Sequence, residues 1–368
     1  MKAVYHKKED CSGCSACYSI CPQQAIAMKP DEEGFLYPEI EEEYCVDCGA
    51  CTAVCPLIVD GSYKETGTPD FYVARHKSPS VLRESTSGGA FTAISEAVLR
   101  ENGVVYGAEY DETLRVRHRR ALKREQRDRL RISKYVQSDM GDTYAQIKAD
   151  LQAGFTVLFT GTPCQAAGLR GYIGNSSLTD SLYICDLICH SIPSPLIWEE
   201  YKRLLERETG GKLVRVQFRS KKYVWSRENS NKGFLYGTDN GLEQEDDRFY
   251  QLFFAVGAIT RPSCSKCRFT DIHRASDLTI ADYWGIEKYS PDWYDPLGVS
   301  VILVNSAKGA ELFEQCRQEL VTENRPMEEA LAEQRRLREP AELPENRDVF
   351  WDEYHKFGFD YVIGKLTK

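Results

Sequence analysis

No apolar run in this 368-residue chain is long enough to cross a bilayer as a helix. The longest uncharged stretch, 151–169, is broken by three glycines, a proline, two glutamines and several threonines. It reads as a buried strand, a turn and a helix start. The opening residues, Met1 to Asp10, are partly basic but lack the apolar core and small-residue cleavage site of a secretory leader, so a cytoplasmic chain is expected. There is no G-x-G-x-x-G, hence no fingerprint of a Rossmann NAD unit. A phosphate-binding P-loop and a G-x-S-x-G nucleophile elbow are also missing, which leaves kinase and hydrolase readings without support. Basic charge is in deficit. With 47 Lys and Arg against 56 Asp and Glu the net charge is −9, which argues against a dedicated nucleic-acid binder.

What is present in excess is cysteine. Of fourteen, eight fall within residues 11–55. In a chain kept in a reducing compartment such thiols bind metal more readily than they pair as disulfides. Cys11, Cys14, Cys17 and Cys21 precede Pro22, and Cys45, Cys48, Cys51 and Cys55 precede Pro56. Both runs read C-x2-C-x2-C-x3-C-P, the bacterial ferredoxin spacing, in which the fourth Cys ligates the other cluster. The spacing therefore assigns one 4Fe–4S cluster to Cys11, Cys14, Cys17 and Cys55. It assigns a second to Cys45, Cys48, Cys51 and Cys21. Zinc, which prefers four ligands in two separated pairs, fits a duplicated four-Cys run poorly.

Residues 1–60 carry four lysines against eleven acids, so most of the net charge lies on this segment. Glu41, Glu42 and Glu43 beside the second run suit either a solvated loop or a face that steers a basic redox partner. Residues 61–69 are polar and bear Gly and Pro, as a linker would. Beyond them, strand-like and helix-like segments alternate. Strands are expected at Phe71–Arg75, Val104–Tyr110, Phe155–Phe159, Leu182–Ile188 and Val299–Val304. Helices are expected at Gly89–Leu99, Thr143–Leu151, from Thr162 to Leu169, at Pro195–Arg207 and at Lys308–Leu320. This alternation predicts an α/β sheet with both faces covered.

Four features of this larger part bear on chemistry. Glu84-Ser-Thr-Ser-Gly-Gly-Ala90 is a Ser/Gly-rich turn opening a helix, suited to a phosphate or to an ordinary helix cap. Thr160-Gly-Thr-Pro-Cys-Gln165 follows an apolar run, at the strand end where α/β folds bind ligands. Six cysteines remain. Cys264 and Cys267 form a C-x2-C pair, and with Cys164 and Cys189 they supply four ligands from separate loops, for iron or zinc alike. Cys185 and Cys316 read as packed residues. Finally, residues 115–134 hold ten Lys and Arg against Glu125 and Asp128. That run is a solvated face by default, or a pocket for an anionic cofactor or an acidic partner.

Ser85-Thr-Ser-Gly-Gly-Ala90, Ser133-Lys-Tyr-Val-Gln-Ser138, Thr160-Gly-Thr-Pro-Cys-Gln165, Cys189-His190, Cys264-Ser-Lys-Cys267 and the stretch from Ala275 to Gly285 give a resemblance over nearly the whole chain. The chain resembles the coenzyme F420 hydrogenase/dehydrogenase beta-subunit family, in the branch with an N-terminal two-cluster ferredoxin module. A departure is that His190 is followed by Ser191-Ile-Pro-Ser-Pro195, where relatives often have Gly after His.

The resemblance implies an α/β fold (α+β overall), with a small bacterial ferredoxin-like module at 1–60 and a flavin-binding body at 70–368, in parts 70–150 and 151–368. It implies FAD, with contacts near Ser87, Gly88, Gly89, Lys134, Gln137, Thr160 and Thr162, and with Asp282 and Trp284 close by. It also implies a third 4Fe–4S cluster on Cys164, Cys189, Cys264 and Cys267. An iron–sulfur flavoprotein oxidoreductase is expected, taking single electrons from a ferredoxin-like donor and reducing an organic substrate by two. That substrate would be the deazaflavin coenzyme F420 or another acceptor; related plant enzymes reduce a chlorophyll derivative, and many bacterial relatives look like partners of cell-surface polysaccharide assembly. An electron-transfer subunit without a substrate, or a redox-responsive binding protein, is the alternative. No catalytic residue is named by either route.

Overall fold

The computed structural model describes residues 4–59, 65, 67–230 and 232–366; most of the expected linker at 61–69 lies outside them. In chain order the strands are β1 (Ile26–Pro30), β2 (Leu36–Ile40), β3 (Asp70–His76), β4 (Val104–Tyr110), β5 (Val116–Ala121), β6 (Val157–Gly161) and β7 (Leu182–Leu187). They continue with β8 (Leu213–Gln217), β9 (Leu235–Thr238), β10 (Glu243–Glu245), β11 (Leu278–Asp282), β12 (Ser300–Val304) and β13 (Leu320–Asn324).

Eight of them form one mixed sheet in the order β13-β3-β12-β11-β7-β6-β4-β5. The central four, β11, β7, β6 and β4, are mutually parallel. Strands in such a position are covered on both faces and read as near-continuous apolar runs, as Val-Leu-Phe in β6 does. Strand β12, antiparallel between β11 and β3, is likewise buried along its whole length. Alternate residues separate to the two faces. Val105, Leu158, Cys185 and Ile302 pack under helices Ala90–Arg100 and Ala307–Cys316. Val104, Tyr106, Val157, Phe159 and Ile184 pack under helices Thr143–Gln152 and Pro163–Ile173. Cys185 and Cys316 are both sealed in the first of these cores.

The expected helix 308–320 stops short. It ends at Cys316, and Leu320 opens β13, which pairs antiparallel with β3 from Leu320 opposite His76. An amphipathic stripe does not reveal that a free sheet edge waits beyond one turn of chain, and β-branched Val321 and Thr322 suit that edge. Likewise the strand expected over 155–159 forms two residues later, at Val157–Gly161.

Because β3 is antiparallel to β12, and β12 to β11, β3 runs in the same sense as the parallel four. The carboxyl ends of β3, β4, β6, β7 and β11 therefore converge on one edge of the sheet, which is where ligands bind in open α/β sheets.

The N-terminal 4–59 segment is a β1–β2 hairpin with two short helices, Ala16–Ile20 and Ala50–Ala53. Gly49 enters the second helix at φ 73°, a left-handed conformation that glycine adopts without a Cβ penalty. This segment packs on helix Pro163–Ile173, whose Gly168 and Gly171 permit close approach. A Cβ on Gly171 would stand 2.5 Å from the Val54 carbonyl oxygen, and one on Gly168 2.9 Å from Cys14 Sγ. Polar ties reinforce the contact. Tyr18 donates to Asp142 at 3.0 Å, and Arg347 clamps buried Glu33 with one bond of 2.7 Å.

A three-stranded sheet, β10-β9-β8, packs on helix Pro195–Thr209 through Trp198, Phe218, Phe234 and Phe249. The chain between β8 and β9 reaches back to the end of the main sheet. Among the described residues no helix is long and apolar enough to cross a membrane.

Candidate functional site

Twelve of the fourteen cysteines fall into three groups. Cys14 and Cys17 are buried, and each lies within electrostatic reach of Cys11 and Cys55. Cys21, Cys45, Cys48 and Cys51 line one small cavity of about 30 Å³. Cys189 lies within reach of Cys164, Cys264 and Cys267. These are the same three quartets that spacing and resemblance select.

The groups also touch in sequence. Cys55 couples to Cys51 of the second quartet, and Cys14 couples to Cys164 of the third. Cys48 is exposed, whereas Cys14 and Cys17 are buried, so the second quartet is the outermost.

Burial raises the Cys264 thiol to about 12, with neighbouring Cys267 and Cys164 adding to the rise. Burial likewise pushes Cys189 and Cys17 well above the ordinary thiol range, each with further help from neighbouring sulfurs. Such crowded, desolvated sulfurs ionise only against a positive centre, which is what iron in a cluster provides. Among the described residues no three His, Cys, Asp or Glu side chains converge as one ion requires. A cubane, whose irons each take one thiolate, spreads its ligands more widely than a single tetrahedral ion does. The donor sets thus fit iron–sulfur clusters.

A cavity of about 360 Å³ opens at the carboxyl ends of the parallel strands, within the range of cofactor sites. Ala108 in β4, Thr160 to Thr162 at β6, Leu187 to Cys189 at β7 and Ile280 to Asp282 on β11 all line it. Cys189 therefore belongs both to the third quartet and to the cavity wall. Two helix starts reach the same wall, one through Ser87, Gly89 and Ala90 and the other through Thr162 and Gln165. Each presents backbone N–H groups that favour an anion.

The Ser/Gly turn is dictated by close packing. Gly89 has φ 81°, and a Cβ there would lie 2.9 Å from His76 Cβ. Gly88 carries no room at all: a Cβ would meet the Ala74 carbonyl oxygen at 2.5 Å and the Ser300 nitrogen at 2.6 Å. Of the residues expected to contact a flavin, Ser87, Gly89, Lys134, Gln137, Thr160, Thr162 and Asp282 line the cavity, as does Trp284. Gly88 does not. It packs behind the loop, with its N–H donating to Ser300 Oγ at 3.0 Å.

Lys134 donates to the carbonyls of Arg131 at 2.8 Å and Ile132 at 3.1 Å, and burial lowers its ammonium to about 7. His118 is held on both sides. Its Nδ1 faces Ser138 Oγ at 2.9 Å and its Nε2 the Thr160 carbonyl at 3.0 Å, so Nε2 carries the proton. Burial pulls its pKa to about 4. Gln165 donates to the same Ser138 hydroxyl at 3.0 Å and accepts from the Thr162 N–H at 3.0 Å. The Thr162 hydroxyl in turn lies 3.2 Å from Cys164 Sγ.

Arg219, Trp225 and Lys221 had no signal in the sequence. Arg219 donates to Asp282 at 3.2 Å and lies over the Trp284 ring at 5.3 Å. The indole N–H of Trp225 donates to Asp282 at 2.6 Å, and its ring stacks on Trp284 with centroids 4.9 Å apart. Lys221 donates to the Thr86 carbonyl at 2.9 Å. The β8–β9 connection thereby straps the cavity to both Asp282 and the Ser/Gly turn.

The basic run is neither a bare solvated face nor wholly a pocket. It builds β5 and helix Arg124–Arg129, and its charges meet acids from elsewhere: Arg120 with Asp150 at 2.7 Å, Arg127 with Glu96 at 3.4 Å, Arg129 with Glu109 at 3.6 Å. Only its last part, Leu130 to Lys134, together with His118, lines the cavity.

Residues 155–330 match the family described as the C terminus of the beta subunit of coenzyme F420 hydrogenase/dehydrogenase. Residues 10–58 match the 4Fe-4S dicluster domain. No curated protein matches the chain. Among solved structures, the chain is similar in fold to one from the F420-reducing NiFe hydrogenase complex of Methanosarcina barkeri. The likeness covers 82% of this chain and 97% of that one, at 18% identity and a TM-score of 0.50.

Proposed function

We propose, on the premise that this chain belongs to the coenzyme F420 hydrogenase/dehydrogenase beta-subunit family, that it is an iron–sulfur flavoprotein oxidoreductase. Its three cysteine quartets hold three 4Fe–4S clusters, and the cavity holds FAD. The observation that carries this reading is Cys189, shared between the innermost quartet and the cavity wall. When bound, the clusters supply single electrons and the flavin pairs them for hydride transfer to an organic acceptor, coenzyme F420 or another.

The chain's own residues have separate duties in this scheme. Ser87, Gly89, Thr160 and Thr162 bring two helix starts to the cavity, where they suit a pyrophosphate. Lys134 and Gln137 line the same wall. The Arg219–Asp282–Trp225 contacts hold the strap down and keep water from the reacting groups. His118, neutral at pH 7, fixes the Thr160 carbonyl and Ser138 rather than donating a proton. At the outer end, Glu41, Glu42, Glu43, Tyr44, Val46 and Asp47 are exposed beside Cys48. Such a face favours a redox partner that presents basic charge.

Purified protein tests the reading under anaerobic reduction. Bound flavin should bleach with dithionite or a reduced ferredoxin and then turn over a small-molecule acceptor. Flavin that bleaches but turns over nothing until a partner protein is added would instead make the chain an electron-transfer subunit. Protein that carries no flavin would overturn both.

A further inference from the structure

Arg261 is the largest charged side chain sealed from solvent, at 0% exposure. Its guanidinium donates to the Cys11 carbonyl at 3.0 Å, the Leu36 carbonyl at 3.0 Å and Gln137 Oε1 at 2.9 Å. One nitrogen lies 3.9 Å from Cys11 Sγ. Its flat face covers the Tyr37 ring at 4.2 Å and the Phe35 ring at 5.3 Å. Among the described residues no carboxylate pairs with it. Every acceptor it has is neutral, apart from the sulfur.

A buried cation without a counter-charge is costly, so such groups are paired in native proteins. Among the described residues the anionic group nearest its guanidinium is the Cys11 sulfur, while Asp31 and Glu33 stand beyond the Tyr37 ring, Glu33 already clamped by Arg347. Arg261 bonds to Cys11 of the first quartet, and it stands three residues before Cys264 of the third, whose N–H donates to its carbonyl at 3.0 Å. None of its hydrogen bonds or ring contacts reaches the loops of the outer quartet.

We propose that Arg261 is the shared counter-ion of the two inner quartets and holds their reduction potentials above that of the outer one. A cluster gains one negative charge on reduction, and a fixed cation nearby favours the reduced form. Electrons entering at the exposed quartet of Cys21, Cys45, Cys48 and Cys51 then run downhill towards the cavity. Arg261 is a positioning residue in this scheme, since it touches neither substrate nor flavin. The inference rests on the three-cluster reading above and adds to it a direction of flow.

The test is a potentiometric titration of the holoprotein followed by electron paramagnetic resonance, in wild type, Arg261→Gln and Arg261→Lys. Cys48→Ser identifies the outer signal. In wild type the two inner clusters should titrate above the outer one. Arg261→Gln should disfavour reduction of the inner two by at least about tenfold, which is 59 mV for one electron, and leave the outer one in place. Arg261→Lys keeps the charge and should stay near wild type, although it loses the forked hydrogen bonds.

Arg261→Gln with full iron and unmoved inner potentials would overturn the proposal. So would a Lys variant that falls as far as Gln, which would mark a role in packing rather than charge. If Arg261→Gln does not load iron, the wild-type order and the Lys variant decide, and an outer cluster at or above the inner ones contradicts it. A wild-type protein with fewer than three clusters would overturn the functional reading itself.

Discussion

His118 shows how one side chain can be fixed by its surroundings rather than by its own chemistry. Two hydrogen bonds and burial keep it neutral, with a pKa of about 4 against an ordinary 6.5. The unfolded chain therefore binds a proton between pH 6.5 and 4 that the folded chain refuses. Stability should fall as pH drops through that window, by up to about 3 kcal/mol for this residue at 1.36 kcal/mol per unit. His118→Gln should be less sensitive to acid over the same range. Denaturant titrations of both proteins at pH 7 and pH 5 check this, and parallel pH profiles would contradict it. At this scale the sequence was most readable for cysteines, because cluster ligation imposes a spacing that survives without the fold. It was least readable for Arg219, Trp225 and Arg261, whose partners lie 63, 57 and 250 residues away along the chain.

Elements were legible where a single periodicity ruled them. Strand β4 and the helices at Thr143–Gln152 and Pro195–Thr209 form nearly where their apolar patterns put them. Strand β13 and the basic β5 were not, since their pairing is decided by neighbours: β3 in one case and β4 in the other. The most consequential element is helix Pro163–Ile173. Its first turn carries Cys164 and faces the cavity, while Gly168 and Gly171 seat the N-terminal segment. Gly171→Leu should force that segment away, because the obstructing atom is backbone and cannot rotate aside. Amide exchange in residues 163–173 should rise, with the two N-terminal clusters retained but slower to pass electrons to the flavin. Exchange and transfer rates unchanged from wild type would show that the contact is dispensable.

Over the whole molecule, a charge map and a depth map coincide. The acidic N-terminal segment exposes Cys48 of its second quartet, buries Cys14 and Cys17 of its first, and leans on the body at the third. Beyond the third quartet lies the cavity, closed by the strap between β8 and β9. The order of these stations is not written in the chain, where the third quartet is split among residues 164, 189, 264 and 267; only the sheet brings it together. On the proposed function all three quartets hold iron–sulfur clusters in line with a flavin. The most direct test is to count iron, sulfide, zinc and flavin per chain in anaerobically purified wild type and Cys264→Ser. Wild type should carry about twelve irons as three cubanes, with one FAD. Cys264→Ser should lose about four irons while the N-terminal clusters remain. About eight irons with zinc in wild type, or an iron content untouched by Cys264→Ser, would contradict it.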